Sequence, residues 1–309
     1  MEKIIKVSVI IPIHNSSKTL HFCLESIFDT DYSNFEVIVI DDGSTDNPLK
    51  IAEKFPCQII RSGQNKGPAV ARNIGIKKAQ GEILLFTDSD CTVQKNWIKR
   101  MVEEYVKLEN DVGNIGVMGG RVLPNKRFVS KCVAYSGYYA FQWGNKPIER
   151  PDLCGAHLLV TKKALEEVGG FDEQLRYGGG EDTDLTCKIY EKKYKVIYQP
   201  SIYVIHNHEK TLYDFFQHQR FWGQIHGLQL EIRYQKIRKL KSFLLIKNPY
   251  LYLLFLALPV SLYITFLSIK TNFKFDKKIL LYAPFVFISK LYYRIGVVEW
   301  LFKKRHTKK

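Results

Sequence analysis

Apolar positions along the first 110 residues follow two alternating rhythms. Runs from Val7 to Ile13, Phe35 to Ile40, Cys57 to Ile60 and Glu82 to Phe86 are nearly continuous in apolar residues, the pattern of short strands covered on both faces. Between them, residues 17–29 place Leu20, Leu24, Ile27 and Phe28 at helical spacing, and residues 67–79 predict another helix. Buried strands alternating with helices predict βαβ units, right-handed crossovers and an α/β fold with a mostly parallel sheet flanked by helices. The rhythm then loosens. Gly116 to Val122, Leu158 to Thr161 and Lys195 to Tyr198 predict strands, and residues 127–143 an aromatic-rich helix or loop. Helices are predicted up to Val168, from Glu181 to Tyr190 behind three glycines, and from Thr211 to Glu231. No internal repeat is visible.

The last quarter differs in kind. Pro249 to Ile269 is 21 residues without a charge. As a helix it would be roughly 32 Å long, enough to cross a bilayer core. Ile279 to Ser289 is a second apolar run, continuing past Lys290 and Arg294 to Phe302, marginal for a span and equally able to lie in the membrane interface. A hairpin of helices packed on the rest of the protein is the soluble alternative. Basic residues on both sides leave the orientation open.

Charge sharpens this division. The net charge is +15, but residues 232–309 hold 17 Lys+Arg and 2 Asp+Glu, whereas residues 1–231 hold 29 of each. A neutral body with a basic, apolar tail points to an anionic membrane surface and away from nucleic acid. The six cysteines, Cys23, Cys57, Cys91, Cys132, Cys154 and Cys187, include no C-x-x-C pair. That disfavours a zinc site or disulfide scaffold and fits a reducing cytosol, with each cysteine a small buried hydrophobe. Met1 to Ile13 reads as a first strand rather than a secretory leader. With 46% hydrophobic residues the chain holds one large domain or two small ones.

The densest chemical signal is Thr87-Asp88-Ser89-Asp90, directly after the strand Glu82 to Phe86. Ligands of open α/β sheets bind at the carboxyl ends of strands. Paired carboxylates there suit a hard cation, Mg²⁺ or Mn²⁺, shared with substrate phosphates. Alone, such a triplet is common in surface loops. Asp41-Asp42-Gly43-Ser44, at the end of the second strand, is equally a turn and helix cap by composition. Lys66 and Arg72 offer charge to a phosphate, or are a solvated lysine and a structural arginine.

Several motifs in order resemble the family 2 glycosyltransferases of the GT-A fold. They are Val7 to Asn15, Val39 to Asp46, Asn65 to Asn73, the Asp88/Asp90 pair, Gly169-Gly170-Phe171-Asp172 and Gly180-Glu181-Asp182-Thr183-Asp184-Leu185. The resemblance covers about residues 5–225. It implies a GT-A domain over 1–231, with a nucleotide-sugar half to about 110 and an acceptor half beyond, followed by a basic segment 232–309 with one or two membrane-associated helices. It implies that Asp42 accepts the N3–H of uracil, with Pro12 and His14 lining the base. Asp88 and Asp90 would hold Mg²⁺ or Mn²⁺, with His206 completing the coordination and His208 its alternative. Asp182 would be the general base of an inverting transfer, with Glu181 second to it. Asp184 belongs instead to the first turn of a helix. Gln217-His218-Gln219-Arg220-Phe221-Trp222 partly resembles the Q-x-x-R-W signature of processive synthases, with Phe221 where the Trp would be, which weakens that reading.

The resulting expectation is a transferase moving sugar from a UDP-sugar to a glycan or lipid-linked acceptor, membrane-associated, with the catalytic domain in the cytoplasm. GDP- or dTDP-sugars are the same-class alternative. A catalytically silent nucleotide-sugar-binding protein is the different-class alternative.

Overall fold

A computed structural model describes residues 4–137, 146–175, 179–207, 211–235, 257–273 and 276–307. The chain forms two compact units: residues 1–123 with 144–207, and residues 124–143 with 208–309. These units divide the chain at other places than the expected domain boundary at residue 231. The long helix after residue 211 falls in the second unit because its partners are there.

In the first unit, β1 (Val7–Ile13), β2 (Phe35–Asp41), β3 (Gln58–Arg61) and β4 (Ile83–Thr87) alternate with α1 (Leu20–Phe28), α2 (Leu49–Ala52) and α3 (Pro68–Lys78). The four strands pair in parallel in the order β3-β2-β1-β4, with Val9 opposite Val37 and Leu85. Val7, Val9, Ile10 and Ile11 are fully buried, as a strand covered on both faces requires. Ser8, equally buried, donates to Glu36 Oε1 at 2.6 Å and accepts the Gly81 N–H at 2.8 Å, so no polar group is stranded.

The expectation of a mostly parallel sheet needs correction. Beyond β4 the sheet is antiparallel. β8 (His157–Thr161) pairs antiparallel with β4, and β6 (Ile115–Pro124) antiparallel with β8. β9 (Lys195–His206) then carries β5 (Cys91–Val93) and β7 (Ile148–Glu149), each antiparallel to it. Helices also separate these strands in sequence, Trp97–Asp111 between β5 and β6 and two more between β8 and β9, so element order alone does not distinguish antiparallel from parallel neighbours. β9 also outruns its expected end at Tyr198. Pro200 falls between the stretch paired with β7 and the stretch paired with β5, so the strand continues through it. α4 (Trp97–Asp111), α6 (Lys162–Val168) and α7 (Glu181–Glu191) complete this unit. Buried His157 accepts the indole N–H of Trp97 at 2.9 Å and faces the Arg121 carbonyl at 3.1 Å. Burial holds its pKa down to about 4, so it is a neutral structural imidazole.

The second unit is helical: α5 (Phe128–Ser136), α8 (Leu212–Gln235), α9 (Leu258–Asn272) and α10 (Ile279–Thr307). Cys132, Tyr135, Phe215, Ile279, Tyr282 and Val286 form its core. α8 and α10 cross at Gly223 and Gly296. A Cβ at Gly223 would fall on the Tyr293 carbonyl, and one at Gly296 on the Arg220 carbonyl. Arg220, from the Q-x-x-R-W-like stretch, makes a two-pronged pair with Glu299, which Gln224 also contacts at 2.8 Å. That stretch therefore fastens two helices together. The expected 21-residue apolar run lies partly outside the described residues, at 249–256. Among the described residues no helix is long and apolar enough to cross a membrane.

The Gly296 contact yields a test. Alanine at 296 gains about 0.5–1 kcal/mol of helix propensity, but overpacking a close contact costs about 1–3 kcal/mol. Gly296→Ala is therefore expected to lower the melting temperature in circular dichroism, and a higher one would contradict the packing.

Candidate active site

The site gathers at the carboxyl ends of β1, β2 and β4. Asp42, one residue past β2, is buried and accepts three bonds: Ser62 Oγ at 2.9 Å, Lys66 N at 2.9 Å and Gly67 N at 2.7 Å. It thereby fixes the turn leading into α3. Gly43 has φ of 73°, and a Cβ there would lie 2.7 Å from the Asn65 nitrogen, so both its conformation and its neighbour require glycine. His14 contacts the Asp42 carbonyl through Nδ1 at 2.9 Å, while Nε2 faces the amide nitrogens of Asn15 and Asn65 at 3.2 and 3.1 Å. A carbonyl at Nδ1 and two amide groups at Nε2 suit the tautomer with its proton on Nδ1. Pro12 lies on β1 opposite Ile40, and the Lys66 side chain is exposed. Ser16 Oγ meets Ser89 Oγ at 2.7 Å, tying the end of β1 to the Asp88/Asp90 loop.

Asp88 and Asp90 diverge in role. Asp90 Oδ1 lies 2.8 Å from His206 Nε2. The β5–β9 register brings the two segments side by side, because Cys91 of β5 stands opposite His206 of β9 and Asp90 precedes it in the chain. Asp90, Cys91 and His206 present ligand atoms within 4.8 Å of one another. Burial, with Asp90 and Asp88 beside it, pushes the Cys91 thiol well above its ordinary pKa, and a hard cation prefers the oxygen and imidazole donors to sulfur. The donor set therefore fits Mg²⁺ or Mn²⁺. His208 lies outside the described residues.

Asp88 turns toward Arg72. The guanidinium is 3% exposed, with Nη2 2.9 Å from Asp88 Oδ1 and Nη1 2.8 Å from Glu181 Oε1. Its face lies 5.5 Å from the centre of the Phe171 ring. Arg72 is thus committed to two carboxylates. Desolvation still raises the Asp88 pKa, against the opposing pull of Arg72 and His206.

Glu181 and Asp182 open α7, behind Gly180 in the left-handed region with φ of 89°. Glu181 takes the Gly179 N–H at 2.7 Å as well as Arg72. Asp182 is held differently: Oδ2 accepts the Gly155 N–H at 2.8 Å and Oδ1 the Thr183 N–H at 2.8 Å. Burial, then the charge of Glu181, push its pKa up to about 6. The Gly155 amide is delivered by β8, whose entry is pinned where Thr87 Oγ1 donates to the Ala156 carbonyl at 3.0 Å. The structure therefore brings Arg72, Asp88, Glu181 and Asp182 together, and Asp90 with His206. A separate cluster holds Asp42, His14 and the Lys66 backbone. Ser16, Ser62, Cys91 and Gly155 join these clusters without any motif in the sequence to announce them.

The profile of Glycosyl transferase family 2 matches residues 8–169. A second, described as the N-terminal domain of galactosyltransferase, matches residues 138–211. The chain belongs to glycosyl transferase family 2. Among curated relatives, glycosyltransferase AglE of Haloferax volcanii is 29% identical over 212 residues, 65% of this chain and 66% of that protein. Glycosyltransferase GlyG of Streptococcus pneumoniae is 37% identical over 111 residues, 34% of this chain and 37% of that protein. Poly(ribitol-phosphate) beta-N-acetylglucosaminyltransferase TarS of Staphylococcus aureus is 36% identical over 132 residues, 40% of this chain and 23% of that protein. The chain spans less than two thirds of the length of each.

Solved structures agree on the fold. The mannosyltransferase PcManGT from Pyrobaculum calidifontis, in complex with GDP-Man and Mn²⁺, matches at TM-score 0.60 and 19% identity, over 98% of this chain and 89% of that one. S. aureus TarS 1–349 in complex with UDP-GlcNAc matches at TM-score 0.55 and 20% identity, over 97% and 92%. The fold is thus an α/β GT-A-like one with a mixed sheet.

Removing one partner of a buried ion pair costs about 3–5 kcal/mol. Arg72→Met, which strands Asp88 and Glu181, should lose stability of that order at pH 7 in urea melts. The loss should shrink toward pH 5 as the stranded carboxylates protonate. A loss below about 1 kcal/mol at pH 7 would show that the bridge is not holding the site.

Proposed function

We propose that this chain transfers a sugar with inversion from a nucleotide diphosphate sugar to a hydroxyl acceptor. The observation that carries the reading is the arginine-bridged set Asp88–Arg72–Glu181 beside Asp182, with Asp90 and His206 paired nearby. The solved neighbours were captured with UDP-GlcNAc and with GDP-Man, which supports a nucleotide-sugar donor and leaves both bases in play. A UDP-sugar is favoured here because Asp42 has about four lone-pair positions and three are occupied from within the chain. The remaining one suits a single N–H such as that of uracil, with His14 and Pro12 beside it. The acceptor is a glycan or lipid-linked hydroxyl, and the chain works at a membrane with the catalytic unit on the cytoplasmic side.

Asp90 and His206, with the Asp88 oxygen not used by Arg72, would hold Mg²⁺ or Mn²⁺. The cation supplies Lewis-acid neutralisation of the departing diphosphate. Arg72 holds Asp88 and Glu181 in place. Asp182 takes the proton of the acceptor hydroxyl as its oxygen bonds to the anomeric carbon and the bond to the diphosphate oxygen breaks. The Gly155 and Thr183 amides orient the Asp182 carboxylate for that transfer. A separate nucleophile is not required.

Two measurements test this. Asp182→Asn should lower kcat by at least about 10²-fold, since a positioned base contributes about 10²–10⁴, while donor affinity by calorimetry stays unchanged. Near-normal turnover in Asp182→Asn, with Glu181→Gln inactive, would move the base by one residue. Asp182 acts as base only when ionised, and its pKa stands near 6. The rate should therefore fall as pH drops through about 6, on a limb that Asp182→Asn lacks. A wild-type profile flat from pH 7.5 down to about 4.5 would contradict the assignment.

A further inference from the structure

α9 is built inside out. Its buried residues are Ser261, Thr265, Ser268 and Asn272, all polar. Each hydrogen bond they make stays within the unit. Thr265 donates to the Ser261 carbonyl at 2.7 Å, Asn272 to the Ser268 carbonyl at 2.8 Å, and Ser268 to the Tyr135 carbonyl of α5 at 2.7 Å. Its opposite face is apolar and bare: Leu262 is 55% exposed, Tyr263 62% and Phe266 58%. Leu280 and Leu281, at the start of α10, are exposed to a similar degree, 55% and 67%. A helix folded for water has the reverse arrangement. Small polar residues between helices, with large apolar residues outward, are the pattern of helices whose outer surroundings are lipid.

Charge identifies how lipid is met. The described part of α9 is 15 residues, about 22 Å of helix. Lys270, near the end of α9, and Lys277 and Lys278, just before α10, are exposed, within a segment of 17 basic and 2 acidic residues between 232 and 309. An apolar face rimmed by cations fits acyl chains below and anionic headgroups beside it.

We infer that the Leu262–Tyr263–Phe266 face of α9 lies in the plane of an anionic bilayer surface, embedded in one leaflet. This rests on the membrane part of the proposed function and is independent of the transfer chemistry. The experiment is flotation of the purified 309-residue chain with vesicles of phosphatidylcholine alone or mixed with phosphatidylglycerol, at physiological salt. The parent should float with the anionic vesicles far more than with the neutral ones. The double variant Leu262→Gln/Phe266→Gln, altered only at exposed positions, should lose about tenfold or more in vesicle affinity while keeping its circular dichroism melt. A Tyr263→Trp reporter should be quenched best by bromines near the headgroup end of the acyl chain. Quenching best at the chain terminus would indicate spanning and overturn the inference. So would flotation of the double variant equal to the parent's, or conversion of a parent dimer into a monomer with vesicle binding unchanged, which would assign the face to a second copy. Transfer to a soluble acceptor should be the same in parent and double variant. If neither turns over but the flotation difference stands, the transferase reading fails and this inference does not.

Discussion

A buried guanidinium with two carboxylates is the constraint on which the first unit's chemistry depends. Arg72 is 3% exposed, and it holds Asp88 at 2.9 Å and Glu181 at 2.8 Å. Ions taken from water must be paired and hydrogen-bonded or they neutralise. The pairing here joins residues 72, 88 and 181, so it forms only when α3, the loop after β4 and the start of α7 are all in place. Its role is therefore as much to specify geometry as to stabilise. Glu181 fixed on Arg72 sets the first turn of α7 and with it Asp182. Asp88 fixed on Arg72 sets the loop from which Asp90 reaches His206.

The sheet explains why these residues can meet. β4 is the last parallel strand and pairs on its other edge with antiparallel β8. Asp88 leaves β4 at this change of direction while the chain entering β8 arrives there, so the Gly155 amide and Asp88 come from adjacent strands. Crevices at the carboxyl ends of strands, where sheet order changes, are where α/β folds bind ligands. Asp42 supports the other side by gathering Ser62, Lys66 and Gly67. The Ser16–Ser89 hydroxyl pair links the two sides.

Much of this was legible in the sequence, for physical reasons. Val7 to Ile13 and Ile83 to Phe86 read as strands because burial on both faces leaves no polar alternation. The Asp88/Asp90 pair read as a site because it follows such a strand. What was not legible depends on partners distant in sequence. β5 has three residues, too few for a period, yet its pairing with β9 brings Asp90 to His206. Arg72 could be weighed between phosphate and structure only once Asp88 and Glu181 stood beside it. In the antiparallel half helices also separate the strands in sequence, so strand direction could not be read from element order. The apolar run ending at Ile269 was visible, but that Ser261, Thr265 and Ser268 face inward emerged only from the packing of the second unit.

The most direct measurement is diffraction at the manganese edge from crystals grown with Mn²⁺ and a non-hydrolysable nucleotide sugar. The account predicts one anomalous peak in coordinating contact with Asp90 and His206, with Arg72 still bridging Asp88 and Glu181 and the sugar's anomeric carbon facing Asp182. A peak away from Asp90 and His206, or Arg72 released from Glu181 onto the diphosphate, would contradict it.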